Sequence, residues 1–235
     1  MFYRETPSSF VMPVPFFNVL NGGVHSGNEM AFQEFMLAPI GASSFREAVQ
    51  IGCECYQQLK QIIVKKFGAN GMALWVVANF KAGGIGDEGG FAPPIPRPQQ
   101  ALDLLTQAVK EAGYEGKVAF AIDPASQEFL NSSGKYDLDI KATSREHETL
   151  TPSKLSELYR GLLSSYPIVL LEDPFGQDDW QSWVEFASSS EVELVGDDLL
   201  ATNIERVKIA AEKKACNSML LKINQIGTIT EALDA

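Results

Sequence analysis

The sequence predicts an α/β protein built as a TIM-like (β/α) barrel, and three observations carry that expectation. Apolar runs alternate with amphipathic stretches over 118–222, the pattern of right-handed βαβ units around a parallel sheet. The run PIVLLEDPF enters its charges without polar alternation, as expected of a strand covered by helices on both faces. Glu172, Asp197 and Lys222 close three successive runs and lie 25 residues apart, a regularity that suits successive barrel units better than an open sheet.

Composition sets outer bounds. The 235 residues are 45% hydrophobic and 21% charged, which is enough for a packed core and argues against disorder. No internal boundary stands out, so residues 1–235 read as one domain. A net charge of −11 disfavours a nucleic-acid or anionic-membrane surface, which would need a basic patch. No apolar stretch reaches transmembrane length and no leader pattern is present, so no membrane partner is expected. Cys53, Cys55 and Cys216 show neither disulfide nor metal spacing, which suits a reducing, cytoplasmic setting.

In chain order, the apolar segment 11–20 ends at Asn21-Gly22-Gly23, and a second strand-like run covers 30–37, which together suggest a hairpin. A helix over 43–67 follows from an apolar i, i+3/i+4 stripe, a Ser44/Glu47 capping box and Gly68 at the C′ position. Within 69–85 a short strand-like LWVV is flanked by glycines. Prolines 93–98 lead into a helix over 99–112, closed by Gly113. A strand over 118–123 is followed by an alternating stretch, 135–140, expected as an exposed hairpin excursion. Thr151 and Pro152 then start a helix to about 165. The rest reads as strand 168–172, helix 178–188, strand 192–197, helix 203–213 and strand 218–222, with a last helix capped by Thr228 and Glu231.

Function follows from where the charges fall. In a (β/α) barrel the site lies at the C-terminal ends of the strands, where Asp123, Glu172 and Asp197 all stand. Each acid alone is better read as a helix cap or a solvated loop residue. Three at one place in successive units would repel, and a hard divalent cation resolves the repulsion. Oxygen-only ligands point to Mg²⁺ rather than Zn²⁺. Asp173 and Asp198 are given the blander roles of capping or pairing with a lysine. Lys222 ends an apolar strand, where desolvation and nearby cations would lower its pKa and make it a general base. Glu88 lies in GDEGG, whose glycines admit a ligand close to the backbone. Glu34, after Gln33, interrupts an apolar run, and His25 sits in a glycine-rich loop.

The blocks NVLNGGVHSGNEMAFQEFM, GDEGGFAP, LLEDPF, GDDL and LLKINQIG, in this order, resemble the signature blocks of the enolase family, the glycolytic phosphopyruvate hydratases. The resemblance implies a C-terminal barrel of ββαα(βα)n type with Mg²⁺ on Asp123, Glu172 and Asp197. It implies that Lys222 takes the C2 proton of 2-phosphoglycerate and that Glu88, supported by Glu34, acts on the departing C3 hydroxyl to give phosphoenolpyruvate. His25 would lie on a mobile loop over the substrate, with Gln33 beside the site, and the family leads us to expect a homodimer. Two Mg²⁺ ions and lysine ammonium groups would stabilise the enolate-like intermediate.

Against the family pattern, the chain lacks the N-terminal domain and the last barrel units, so it is expected to be a partial TIM-like barrel, an incomplete barrel domain. Those units hold a second lysine, a histidine and the Arg-Ser pair that grips the phosphate. The alternative reading is therefore a catalytically inactive fragment or paralogue with a binding or structural role. Residues at about 69–85 read as an insertion just ahead of Glu88. A wider acid-sugar enzyme of the superfamily is disfavoured by GDEGG and LLKINQIG.

Overall fold

The computed structural model describes residues 10–68, 88–143 and 146–235, with the side chain of His25 outside the description. The insertion expected at about 69–85 and its LWVV strand lie outside the described residues.

The opening hairpin pairs β1 (Phe17–Asn21) antiparallel with β2 (Glu34–Ala38). Regular pairing in β2 starts later than the apolar run suggests. Met30, Ala31 and Phe32 are buried without joining the ladder. Helix α1 (Phe45–Phe67) starts at Ser44, whose hydroxyl accepts the Glu47 amide, a cap contributing about 1 kcal/mol. The return arm of the expected capping box reaches one residue further back, because Glu47 Oε2 accepts from the Ser43 amide and hydroxyl. Gly68 ends the helix at φ 73°, a conformation that favours glycine.

Helix α2 (Pro98–Glu111) packs on α1, and β3 (Ala119–Asp123) then joins β2 antiparallel. From there the order is β4 (Tyr136–Asp137), β5 (Thr149–Leu150), α3 (Pro152–Ser165), β6 (Ile168–Glu172), α4 (Trp180–Ala187) and β7 (Glu193–Gly196). Helix α5 (Ile204–Lys213), β8 (Ser218–Met219), α6 (Ile223–Ile226) and α7 (Ile229–Asp234) complete the chain. The six-stranded sheet runs β1-β2-β3-β6-β7-β8, parallel from β3 onward. This is the ββαα(βα)n order, as an unclosed barrel among the described residues. Strand β8 is shorter than expected, and Lys222 stands at the N-cap of α6. Among the described residues no helix is long and apolar enough to cross a membrane.

Alternation along the strands sorts the side chains. Phe35, Leu37, Phe120, Ile122, Leu171 and Leu194 join the main core under the helices. The opposite face carries Met36, Ala121, Leu170 and Val195, and by the same period of two it also carries Glu34, Asp123, Glu172 and Asp197. Strand β2 is antiparallel to β3, so its first residue, Glu34, meets the last residue of β3, Asp123.

The stretch 135–140 forms a hairpin with β5, but it is not an exposed excursion. Tyr136 and Leu138 are buried, as are Asp137 and Asp139. Tyr136 stacks edge-on against Phe129 and Phe175, donates its hydroxyl to Asp179 Oδ2 at 2.8 Å and accepts the Gly176 amide at 2.9 Å. Arg97 grips both oxygens of Asp139 at 2.8 and 2.9 Å and reaches Glu148 at 3.0 Å. His147 Nδ1 lies 2.8 Å from Asp137 Oδ2. The partners of Tyr136, Asp139 and Glu148 come from distant segments and tie the tongue (136–143 and 146–148) to the body of the domain, while His147 and Asp137 bond within it.

Candidate active site

The carboxylates of the sheet rim are buried and crowded. Asp123, Glu172 and Asp197 each retain less than a tenth of their exposure. Burial, then the charges of Glu172, Asp173 and Glu34, push the Asp123 carboxyl well above the usual range. Burial, then Asp173 and Asp197, push Glu172 up to about 8, with Lys222 opposing. The backbone is strained where the strands end. Ala125, Asp173, Ala201 and Thr202 all take left-handed φ values of 37–51°. Such outliers cost about 1–3 kcal/mol each and concentrate at functional sites.

The acids grouped most tightly differ from the expected trio. Ligand atoms of Asp173, Asp197 and Asp198 lie within 4.8 Å of one another, a cluster able to hold a metal ion. Asp123 and Glu172 stand on the same rim, within electrostatic reach of that group. The capping role expected for Asp173 takes a specific form. Its two oxygens accept the amides of Asp197, Asp198 and Leu199 at 3.1, 2.6 and 3.4 Å. Asp173 thereby fixes the loop carrying Asp197 to the end of β6. Asp198 has no such set of amide bonds; burial, then Asp197, raises its pKa, while Lys222 lowers it. An all-oxygen, mutually repelling donor set of this kind suits a hard divalent cation.

Lys222 is the rim's counter-charge. Its Nζ lies 2.5 Å from Asp197 Oδ2, while Gln225 Nε2 donates to Asp197 Oδ1 at 3.0 Å. Thr202 ties this corner together, accepting the Lys222 amide at 2.9 Å and donating to Gln225 Oε1 at 3.1 Å. The expected lowering of the Lys222 pKa is corrected. Burial acts in that direction, but the hydrogen bond to Asp197 and the charges of Asp197, Glu172 and Asp123 outweigh it, so the pKa is raised.

Across the rim, Glu34 and Glu88 form a carboxyl pair. Burial, the hydrogen bond to Glu88 and the charges of Glu88 and Glu172 raise Glu34 to about 8, with Lys222 opposing. Gln33 Nε2 donates to Glu88 Oε1 at 3.3 Å, and Asn21 Nδ2 donates to Glu88 Oε2 at 3.0 Å. Asn21 is fully buried and also accepts the Gly90 amide at 2.9 Å. His25 closes a short 3₁₀ turn, Gly23–His25; its side chain lies outside the described residues.

Three residues of the rim were not among the expected site residues: Asn21, Thr202 and Gln225. Asn21 reads as a turn residue before two glycines, Thr202 as a loop residue, and Gln225 merely follows Lys222 by three positions. A buried asparagine at a strand end was the one available signal. Gly90 exists for Asn21, since a Cβ there would stand 2.4 Å from Asn21 Oδ1 and 2.8 Å from the Leu20 amide nitrogen. Gly90→Ala is expected to destabilise the chain by about 2 kcal/mol through that clash. Urea unfolding checks it, and an unchanged midpoint would show that Asn21 can step aside freely.

The rim thus offers an acid cluster able to hold a metal ion, an ammonium and a hydrogen-bonded carboxyl pair on one face of one sheet. The family model for the enolase C-terminal TIM barrel domain matches residues 9–235.

Proposed function

The chain belongs to the enolase C-terminal TIM barrel domain family, and on that premise we propose that its rim dehydrates 2-phospho-D-glycerate to phosphoenolpyruvate with Mg²⁺. The observation that carries the reading is the opposition of Lys222 to the Glu34–Glu88 pair across the rim, with Glu34 sensing both Glu88 and Lys222. Dehydration of a β-hydroxy acid needs these two instruments, a base for the α proton and an acid for the hydroxyl.

Lys222, as the free amine, takes the proton from C2. The C–H electron pair becomes the C2–C3 double bond, and the C3–O bond breaks. Glu88 gives the departing hydroxyl a proton, so water leaves. Glu34, whose raised pKa keeps it protonated near neutrality, hydrogen-bonds Glu88 and can reload it. Gln33 and Asn21 hold the Glu88 carboxyl group in place. Bound Mg²⁺, on Asp123, Glu172 and Asp197, would offset the charge that builds on the substrate carboxylate. The reading carries with it a glycolytic, cytoplasmic setting and a homodimer.

A second reading, a non-catalytic binding or structural protein, rests on one observation. Strand β8 is an open edge among the described residues, and Leu221, Ile223, Ile229 and Leu233, which follow it in the chain, are exposed. Absorbance of phosphoenolpyruvate during incubation with 2-phosphoglycerate and Mg²⁺ separates the two. Formation that stops in Glu88→Gln is the expected outcome. Binding of 2-phosphoglycerate without product would favour the second reading.

A further inference from the structure

The glycine-rich turn that carries His25 is held by a residue outside every signature block. Lys141 lies on the tongue, far from that turn in sequence. Its Nζ donates to Gly23 O at 2.5 Å and to Ser26 O at 2.9 Å, with Ser26 Oγ at 3.4 Å. An ammonium has three N–H donors, and here three oxygens of one turn face it. The turn is stapled on its other side by Asn28, which is buried. Asn28 donates to Asn21 O and Pro93 O at 2.9 and 3.0 Å and accepts from Ser26 Oγ at 2.7 Å.

Asn28 fixes the base of the turn to the body of the sheet, whereas Lys141 fixes its outer carbonyls to the tongue. The tongue is itself tied to the body of the domain through Arg97 and Tyr136. Burial pushes the Lys141 ammonium down to about 8, and the charge of Glu29, on the same loop, opposes that shift.

We propose that Lys141 is a positioning residue that fastens the His25 turn to the tongue, so that the two move as one body. The proposal goes beyond the dehydration reading and does not depend on it, since its test needs no turnover.

Amide hydrogen exchange on the full chain tests it, with Gly22, Gly23 and Ser26 as reporters and 119–123 as the internal reference. Hydrogen bonds from a charged donor hold such a turn closed by a factor of about ten or more. In Lys141→Met the reporters are expected to exchange about tenfold faster while 119–123 keeps its protection, and Lys141→Arg is expected to restore most of the loss. Equal reporter exchange in wild type and Lys141→Met would overturn the proposal, as would parallel loss at 119–123, which would mark a merely structural lysine. Should Lys141→Met not fold, acetylation footprinting of the wild-type chain decides. Lys141 should react about tenfold more slowly than the exposed Lys208, and equal rates would overturn the proposal.

Discussion

Millimolar Mg²⁺ is expected to raise the melting temperature of this chain much more at pH about 8.5 than at pH about 5. The sign comes from the carboxyls of the rim. Glu172 and Glu34 are raised from 4.5 to about 8 in the folded chain, and Asp123 is raised as well. Below about pH 4.5 both folded and unfolded chains hold these protons, and folding incurs no penalty. As pH rises toward about 8 the unfolded chain releases protons that the folded chain retains, so stability falls across that window and levels off above it. A shift of a few pKa units on one site corresponds to several kcal/mol, so the loss is on the order of a few kcal/mol after sharing among interacting groups.

A divalent cation binds the ionised rim and competes with protons, so its effect grows over the same window. At a concentration about a hundred times its dissociation constant it would stabilise the chain by about 2.7 kcal/mol, roughly 5–10 °C for a domain of this size. Thermal melts with EDTA or Mg²⁺ at the two pH values measure it. Asp197→Asn should remove most of the gain. Two further variants identify the donors. Loss of the gain in Asp123→Asn but not in Asp198→Asn is expected from the trio Asp123, Glu172 and Asp197. The reverse would give the ion to the tighter cluster of Asp173, Asp197 and Asp198. A gain independent of pH would remove the carboxyl rim as the binding site.

Much of the fold was legible in the sequence, and the reason is geometric. A buried strand that ends in an acid announces both its own direction and the place of the charge, as PIVLLED does for Glu172 and AFAID for Asp123. The helices were legible through their caps: Ser44, Thr151 and Thr228 accept the amides expected of them. The contacts that shape the corners of the site were not legible, because they join side chains far apart in sequence and leave no local period. Asn21 meets Glu88, Lys141 meets Gly23, and Tyr136 meets Asp179. Burial of Tyr136 was missed for the same reason: alternation over 135–140 predicts a strand, not the aromatic cluster that covers it. Lys222 shows the limit for electrostatics. Its place on the rim was readable, but the direction of its pKa depends on which charges face it, and those are carboxylates.

That reversal leads to the second large effect. Lys222→Met is expected to slow phosphoenolpyruvate formation by about 10²–10⁴-fold, the usual loss when a general base is removed. The same variant should keep or increase the thermal gain from Mg²⁺. The two outcomes belong together because the ammonium at 2.5 Å from Asp197 Oδ2 occupies the field a cation would use. Carboxylates that hold Lys222 protonated also disarm it as a base. Positive charge brought to Asp123, Glu172 and Asp197 would offset that field, lower the lysine pKa and free the amine, so metal binding and base activation would be one electrostatic event. Rate and melting temperature should therefore separate in this variant, the first collapsing while the second holds. If Lys222→Met lost its Mg²⁺-dependent gain together with its activity, the lysine would be a structural partner of Asp197 and not the group that takes the proton.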